Sequence, residues 1–203
     1  IMQMLNAAVT RLSSDDTKLK NFRVIAFPFA GGNGGVYQPW KEFLESNIEV
    51  LAYTPPGRAG RFQDDLVSTM GALLDDAWQH LNPFLDKPFV LFGHSLGGLL
   101  AYEFLHKLIQ HNKPLPVHFI SSARKAPFLK SMENWTTLDD NGFIKKLDEL
   151  GGLHPDIAAN DELVELLLPI LRADISIVEH YAPDNETTAP CPVTIFGGHS
   201  DTN

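Results

Sequence analysis

The sequence predicts an α/β protein, with a mostly parallel sheet, helices on both faces and a helical lid inserted late in the chain. Three observations carry that expectation. Apolar, strand-like runs alternate with segments of helical period from residue 23 to residue 122. One strand-to-helix junction, LFGHSLGG, encloses a serine between glycines. Residues 125–180 then show helical patterns and no good strand.

The elements follow in order. RVIAFPF (23–29) is apolar and bounded by AGGNGG, as a buried strand should be. Residues 36–47 put Val36, Trp40, Phe43 and Leu44 on one helical face. IEVLAYT (48–54) is a second strand, closed by Pro55, Pro56 and Gly57. Leu66, Met70, Leu73, Leu74, Ala77, Trp78 and Leu81 recur at helical spacing. FVLFG (89–93) is a third strand and leads into a helix from about Gly97 to His111. VHFISS (117–122) and VTIF (193–196) are the fourth and fifth strands. Between them, Phe143, Ile144 and Leu147, then Leu163, Leu166, Leu167, Ile170 and Leu171, have helical period. Some fifty residues of helix exceed what a crossover between two strands needs, so 125–180 is read as a lid over the carboxyl edge of the sheet.

The length of 203 residues suits a single domain over 1–203 with a sizeable core. A net charge of −9 argues against nucleic acid as a partner, because the phosphate field would repel the chain overall. No apolar run reaches the ~18 residues of a membrane span. The first residues, IMQMLNAAV, lack the basic start of a secretory signal. The single cysteine, Cys191, cannot form an internal disulfide, which fits a reducing compartment, and it is read as a thiol without chemistry. The expectation is a cytoplasmic monomer.

Chemistry concentrates at Gly93-His94-Ser95-Leu96-Gly97. A strand before it and a helix after it are the setting of a nucleophile elbow. The turn is tight enough to demand small neighbours, hence Gly93 and Gly97. Ser95 then stands at a helix start, where the Leu96 N–H and the helix dipole can stabilise an oxyanion. A second donor must come from the loop after an earlier strand, and FPFAGGNGG is that loop. It lacks G-K-[ST] and the G-x-G-x-x-G spacing, which argues against the rival reading of a nucleotide-phosphate site.

FPFAGG, PPGRAGRF, GHSLGG, SSARKAP, LLLPILRAD and VTIFGGHSD resemble, in order, the signatures of type II thioesterases. These are the stand-alone α/β-hydrolases that serve nonribosomal peptide and polyketide synthases. The similarity runs from about Phe22 to Asp201. It implies the α/β-hydrolase fold and hydrolysis of acyl thioesters carried on the phosphopantetheine arm of a carrier protein, with no cofactor and no metal. It implies Ser95 as nucleophile, the backbone of Ala30 and Leu96 as oxyanion hole, and Asp201 as triad acid. Medium-chain thioesterases of fatty acid synthesis look similar. A small-ester hydrolase without a carrier partner and a non-enzymatic binding module are the rival readings.

Two departures from the family stand out. Ser122-Ala123-Arg124 replaces the usual Ser-Gly-Arg, and the extra methyl is expected to change the loop geometry slightly. The family's triad histidine follows the acid, whereas only Thr202 and Asn203 follow Asp201 here. The C-terminal part of the domain, with that histidine, is therefore expected beyond Asn203. Of the eight histidines present, His199 and His154 are the only conceivable substitutes; His94 should point away from its neighbour Ser95. Arg58, Arg61, Arg124, Lys125 and Lys130 fall in loops near the expected entrance, where a basic patch would suit an acidic carrier.

Overall fold

The computed structural model describes residues 2–13, 19–129, 134–149, 159–183 and 188–198. Seven strands form one sheet: β1 (Met2–Asn6), β2 (Val9–Ser13), β3 (Phe22–Phe27), β4 (Ile48–Tyr53), β5 (Phe89–His94), β6 (His118–Ser122) and β7 (Val193–Phe196), in the order β1-β2-β4-β3-β5-β6-β7. Pairings from β4 through β3, β5 and β6 to β7 are parallel, while β1–β2 and β2–β4 are antiparallel. The central strands bury nearly every residue, as a sheet covered on both faces requires.

Four helices accompany the sheet among the described residues: α1 (Met70–Leu81), α2 (Leu96–Gln110), α3 (Asp140–Glu149) and α4 (Asp161–His180). α1 starts at Thr69, whose hydroxyl accepts from the Ala72 N–H, and this cap places the expected Leu66 outside the helix, partly exposed. α2 is the most deeply buried, with ten of its residues inside. Its Leu99, Phe104, Leu105 and Leu108 join Phe27, Leu51, Leu91 and Phe89 in the main core. The stretch expected to be a lid carries α3 and α4, which share a small core of Trp135, Phe143, Leu147, Leu171 and Ile175. No strand occurs among the described residues of 125–180.

Two expectations are corrected. Residues 34–42 form a 3-10 helix, because Pro39 lacks the N–H that an α-helical ladder would need. Phe43 caps it by donating to the Trp40 carbonyl (2.9 Å) and is 83% exposed, so it does not share the buried face of Val36, Trp40 and Leu44. The β1–β2 hairpin adds two strands that the five-strand reading lacked. No helix among the described residues is long and apolar enough to cross a membrane.

Candidate active site

Register brings the site together at the carboxyl edge of the sheet. Phe27 pairs with Gly93 and His94 pairs with Ser122, so the glycine-rich loop after β3, the elbow after β5 and the loop after β6 all leave from one edge. A methyl on Gly93 would overlap the Gly97 carbonyl, and one on Gly97 would overlap the Phe27 carbonyl oxygen. Both glycines are therefore required by close backbone approach. The second overlap also shows that the end of β3 lies against the first turn of α2.

Ser95 occupies the turn between β5 and α2 with φ 54° and ψ −115°, a left-handed backbone that a non-glycine residue holds at a cost of about 1–3 kcal/mol. Its N–H donates to the Ser122 carbonyl (2.8 Å), and its own carbonyl accepts from the Gly98 N–H (2.9 Å). Serine at a helix N-cap ordinarily turns its hydroxyl back onto the helix. Ser95 makes no such capping bond. The strain thus leaves the half-buried hydroxyl uncommitted to the helix. Leu96, the first residue of α2, is among the four N–H groups that a helix leaves without an internal partner.

The loop after β3 is anchored at both ends. Tyr37 donates its hydroxyl to the Phe27 carbonyl (2.6 Å), and burial pushes that phenol's pKa well above its ordinary value. The Gly34 N–H donates to the Thr54 hydroxyl (3.0 Å). Between them, Gly32 N–H donates to the Phe29 carbonyl (2.8 Å) across a turn whose third residue, Gly31, has φ +80°. That is a type II turn, with Ala30 at its second position. The Phe29–Ala30 peptide is planar and trans, so the Ala30 N–H points opposite the Phe29 carbonyl and out of the turn. Among the described residues it has no hydrogen-bond partner.

His94 does turn away from the elbow's serine. Its Nδ1 lies 3.0 Å from the Ser122 hydroxyl, and its ring meets Phe29 edge-on. His118 bonds the Thr194 hydroxyl (2.7 Å) at the far end of β6, His180 bonds the Ser176 carbonyl (2.9 Å), His80 lies by Asp76, and His111 stacks on Trp78. Asp201, His199, His154 and Lys130 lie outside the described residues.

The expected basic patch is corrected. Arg58 and Arg61 are 3% and 6% exposed and serve internal ion pairs. Arg61 binds Asp76 through two nitrogens (2.6 and 2.7 Å) and Asp64 through Nε (2.7 Å). Arg58 binds Asp174 of α4, again through two nitrogens (2.5 and 2.8 Å). Arg124 is half-buried, and desolvation lowers its pKa. Sequence reasoning quoted Asp174 only as the last residue of LLLPILRAD and gave it no role. The available signal was an acid inside the buried stripe Ile170, Leu171, Ile175 and Val178 of an amphipathic helix.

Ala123 carries φ +50°, and its N–H donates to the Phe196 carbonyl (2.8 Å). The departure from Ser-Gly-Arg thus puts a methyl where glycine is at ease. Cys191 is half-buried, and burial raises its thiol pKa. Among the described residues no group of His, Cys, Asp and Glu could hold a metal ion. A groove of about 580 Å³ runs between α1, α2 and α4, lined by Met70, Leu74, Glu103, Ile177 and Tyr181, and includes none of Ser95, Ala30 or Leu96.

A parallel sheet, a strained serine between strand and helix, and a glycine-rich loop offering a second N–H define the α/β-hydrolase class. The chain belongs to the thioesterase domain family, whose model matches residues 22–203. It is 33% identical to the gramicidin S biosynthesis protein GrsT of Aneurinibacillus migulanus, over 88% of this chain and 70% of that protein. Among solved structures it is similar to the RedJ thioesterase of the prodiginine biosynthetic pathway in Streptomyces coelicolor, with a TM-score of 0.81 at 30% identity over 91% of this chain and 68% of that one. The type II thioesterase BorB of the borrelidin biosynthetic cluster superposes with a TM-score of 0.83 at 25% identity, over 95% and 78% of the two chains. The protein is accordingly a serine hydrolase acting on thioester bonds.

Proposed function

We propose that this protein releases acyl groups from the phosphopantetheine arm of carrier proteins in nonribosomal peptide or polyketide synthesis, as one cytoplasmic α/β-hydrolase domain. The relatives' biosynthetic settings support the pathway class. The observation that carries the chemistry is Ser95, which bears backbone strain at an N-cap without using its hydroxyl to cap.

In this reading the Ser95 Oγ attacks the thioester carbonyl. The oxyanion that forms accepts hydrogen bonds from the Leu96 and Ala30 N–H groups. A triad histidine following Asp201 in chain order takes the serine proton and passes it to the departing thiolate, while Asp201 fixes the imidazole tautomer. The C–S bond breaks as the acyl-enzyme ester forms. Water, deprotonated by the same histidine, then attacks the ester, and the proton returns to Ser95. The engagement of His80, His111, His118 and His180 elsewhere supports a base outside the described residues.

Turnover of an acyl-carrier thioester, compared with a simple aryl ester, tests the reading. The carrier thioester should be the better substrate by kcat/KM, and Ser95→Ala should abolish its hydrolysis. Equal rates on the aryl ester and the carrier thioester would point to a small-ester hydrolase instead.

A further inference from the structure

Two motifs have no task in this chemistry, PPGRAGRF and LLLPILRAD. The fold joins them beneath the oxyanion turn. Asp174, 1% exposed on α4, accepts at Oδ2 from the Gly31 N–H (2.6 Å) and from Arg58 (2.5 Å), and at Oδ1 from the second Arg58 nitrogen (2.8 Å). Arg58 also donates to the Gly32 carbonyl (3.4 Å) and, through Nε, to the Pro56 carbonyl (3.3 Å). Leu171, one turn earlier on α4, packs on the same turn, 2.7 Å from where a Gly31 methyl would lie.

The geometry sorts these bonds by peptide plane. The Gly32-to-Phe29 bond fixes the plane before the Ala30 Cα, and Asp174 fixes the plane after it by holding the Gly31 N–H. Ala30 is thereby locked on both sides, and its N–H direction with it. We propose that Asp174 and Arg58 are positioning residues for the oxyanion turn, through which the lid helix α4 aims the Ala30 N–H. The proposal rests on the reading of Ala30 as an oxyanion donor. Stability alone does not call for this pair, since a buried ion pair can often be exchanged for apolar residues without loss. An apolar pair cannot accept the Gly31 N–H.

The test compares the full-length protein with Arg58→Met/Asp174→Leu and with Asp174→Asn. Three quantities are read: kcat and KM on an acyl thioester, the affinity of an acyl trifluoromethyl ketone, and amide exchange at Gly31. Loss of a whole oxyanion donor lowers kcat roughly 10²–10³-fold. A loosened donor in the double variant should lower it about 10- to 100-fold with KM nearly unchanged, and the ketone should weaken by the same factor. Asp174→Asn keeps an acceptor for Gly31 and should retain most of the turnover. A folded double variant with the parent's kcat and ketone affinity would overturn the proposal. So would an unprotected Gly31 amide in the parent, a measurement that needs neither variant nor activity. A parent that does not hydrolyse thioesters defeats the functional reading instead, and leaves the Gly31 measurement to decide this one.

Discussion

The two edges of the sheet each hold a carboxylate that is 1% exposed, and they are built to different ends. At the amino edge, Glu49 of β4 faces Arg23 of β3 in register and binds it twice at Oε1 (3.1 and 2.6 Å). Lys87 reaches the same oxygen (2.9 Å), and Arg11 of β2 pairs with the other (2.9 Å). All of these partners are side chains, on or beside regular strands. At the carboxyl edge, Asp174 has one cation and one backbone N–H, and that N–H belongs to a turn of the site. Positive φ at Ser95 and Ala123 sits at this edge. The amino edge therefore uses charge to hold strands in register. The carboxyl edge uses charge to hold the Phe29–Gly32 turn of backbone.

The largest effect should come from breaking the amino edge. Glu49→Gln removes the carboxylate that Arg23, Lys87 and Arg11 share, leaves Arg23 with Asp86 as its remaining acid, and should destabilise the fold by about 3 kcal/mol. Turnover per folded molecule should stay at the parent's value. Chemical denaturation alongside active-site titration checks both halves, and a loss of kcat in the folded fraction would erase the distinction between the edges.

Gly97→Ala breaks the carboxyl edge in the opposite way. The added methyl must push the first turn of α2 off the Phe27 carbonyl. Displacement of a site by about 1 Å costs on the order of 10²-fold in rate, and a loss of that size is expected in kcat/KM.

Acid acts at both ends of β4, on Glu49 at one and on Asp76, bonded to Tyr53, at the other. Burial would raise the Glu49 carboxyl, but hydrogen bonds from Lys87 and Arg23 outweigh it and hold the pKa below its ordinary value. Burial of Asp76 is likewise outweighed by its bonds from Arg61 and Tyr53. A carboxylate with a depressed folded pKa contributes stability above its unfolded value, near 4, and loses it as pH falls through the folded value. Urea midpoints should therefore drop as pH falls from about 4 downward, and Glu49→Gln should flatten part of that drop.

The smallest expected effect tests strain at the carboxyl edge. Ala123→Gly removes a left-handed alanine and should stabilise the fold by about 0.5–1 kcal/mol, read as a higher denaturation midpoint.

How much of this was legible in the sequence follows the same division. The parallel core strands were legible because they are continuous apolar runs stopped by glycine or proline. The elbow was legible because its strand–turn–helix setting is local and Gly93 answers to Gly97 four residues on, although Gly97 itself answers to Phe27 of β3. β1 was not, since MQMLN is mostly exposed and its hairpin turns at Ala7-Ala8 without glycine or proline. Arg58 and Arg61 looked like entrance charges because an arginine's burial depends on its partner. Asp174 is 116 positions from Arg58, and nothing local to PPGRAGRF announces it. The stretch 125–180 was legible as helices, but the bond from the Gly31 N–H to Asp174 required the fold.

The central claim is that Ser95 is the nucleophile. It is tested most directly by reacting the full-length protein with a serine-directed fluorophosphonate and mapping the adduct by peptide mass spectrometry. One adduct per chain, on the peptide containing Ser95 and absent from Ser95→Ala, is the predicted result. An adduct on any other residue, or labelling that survives in Ser95→Ala, would contradict it.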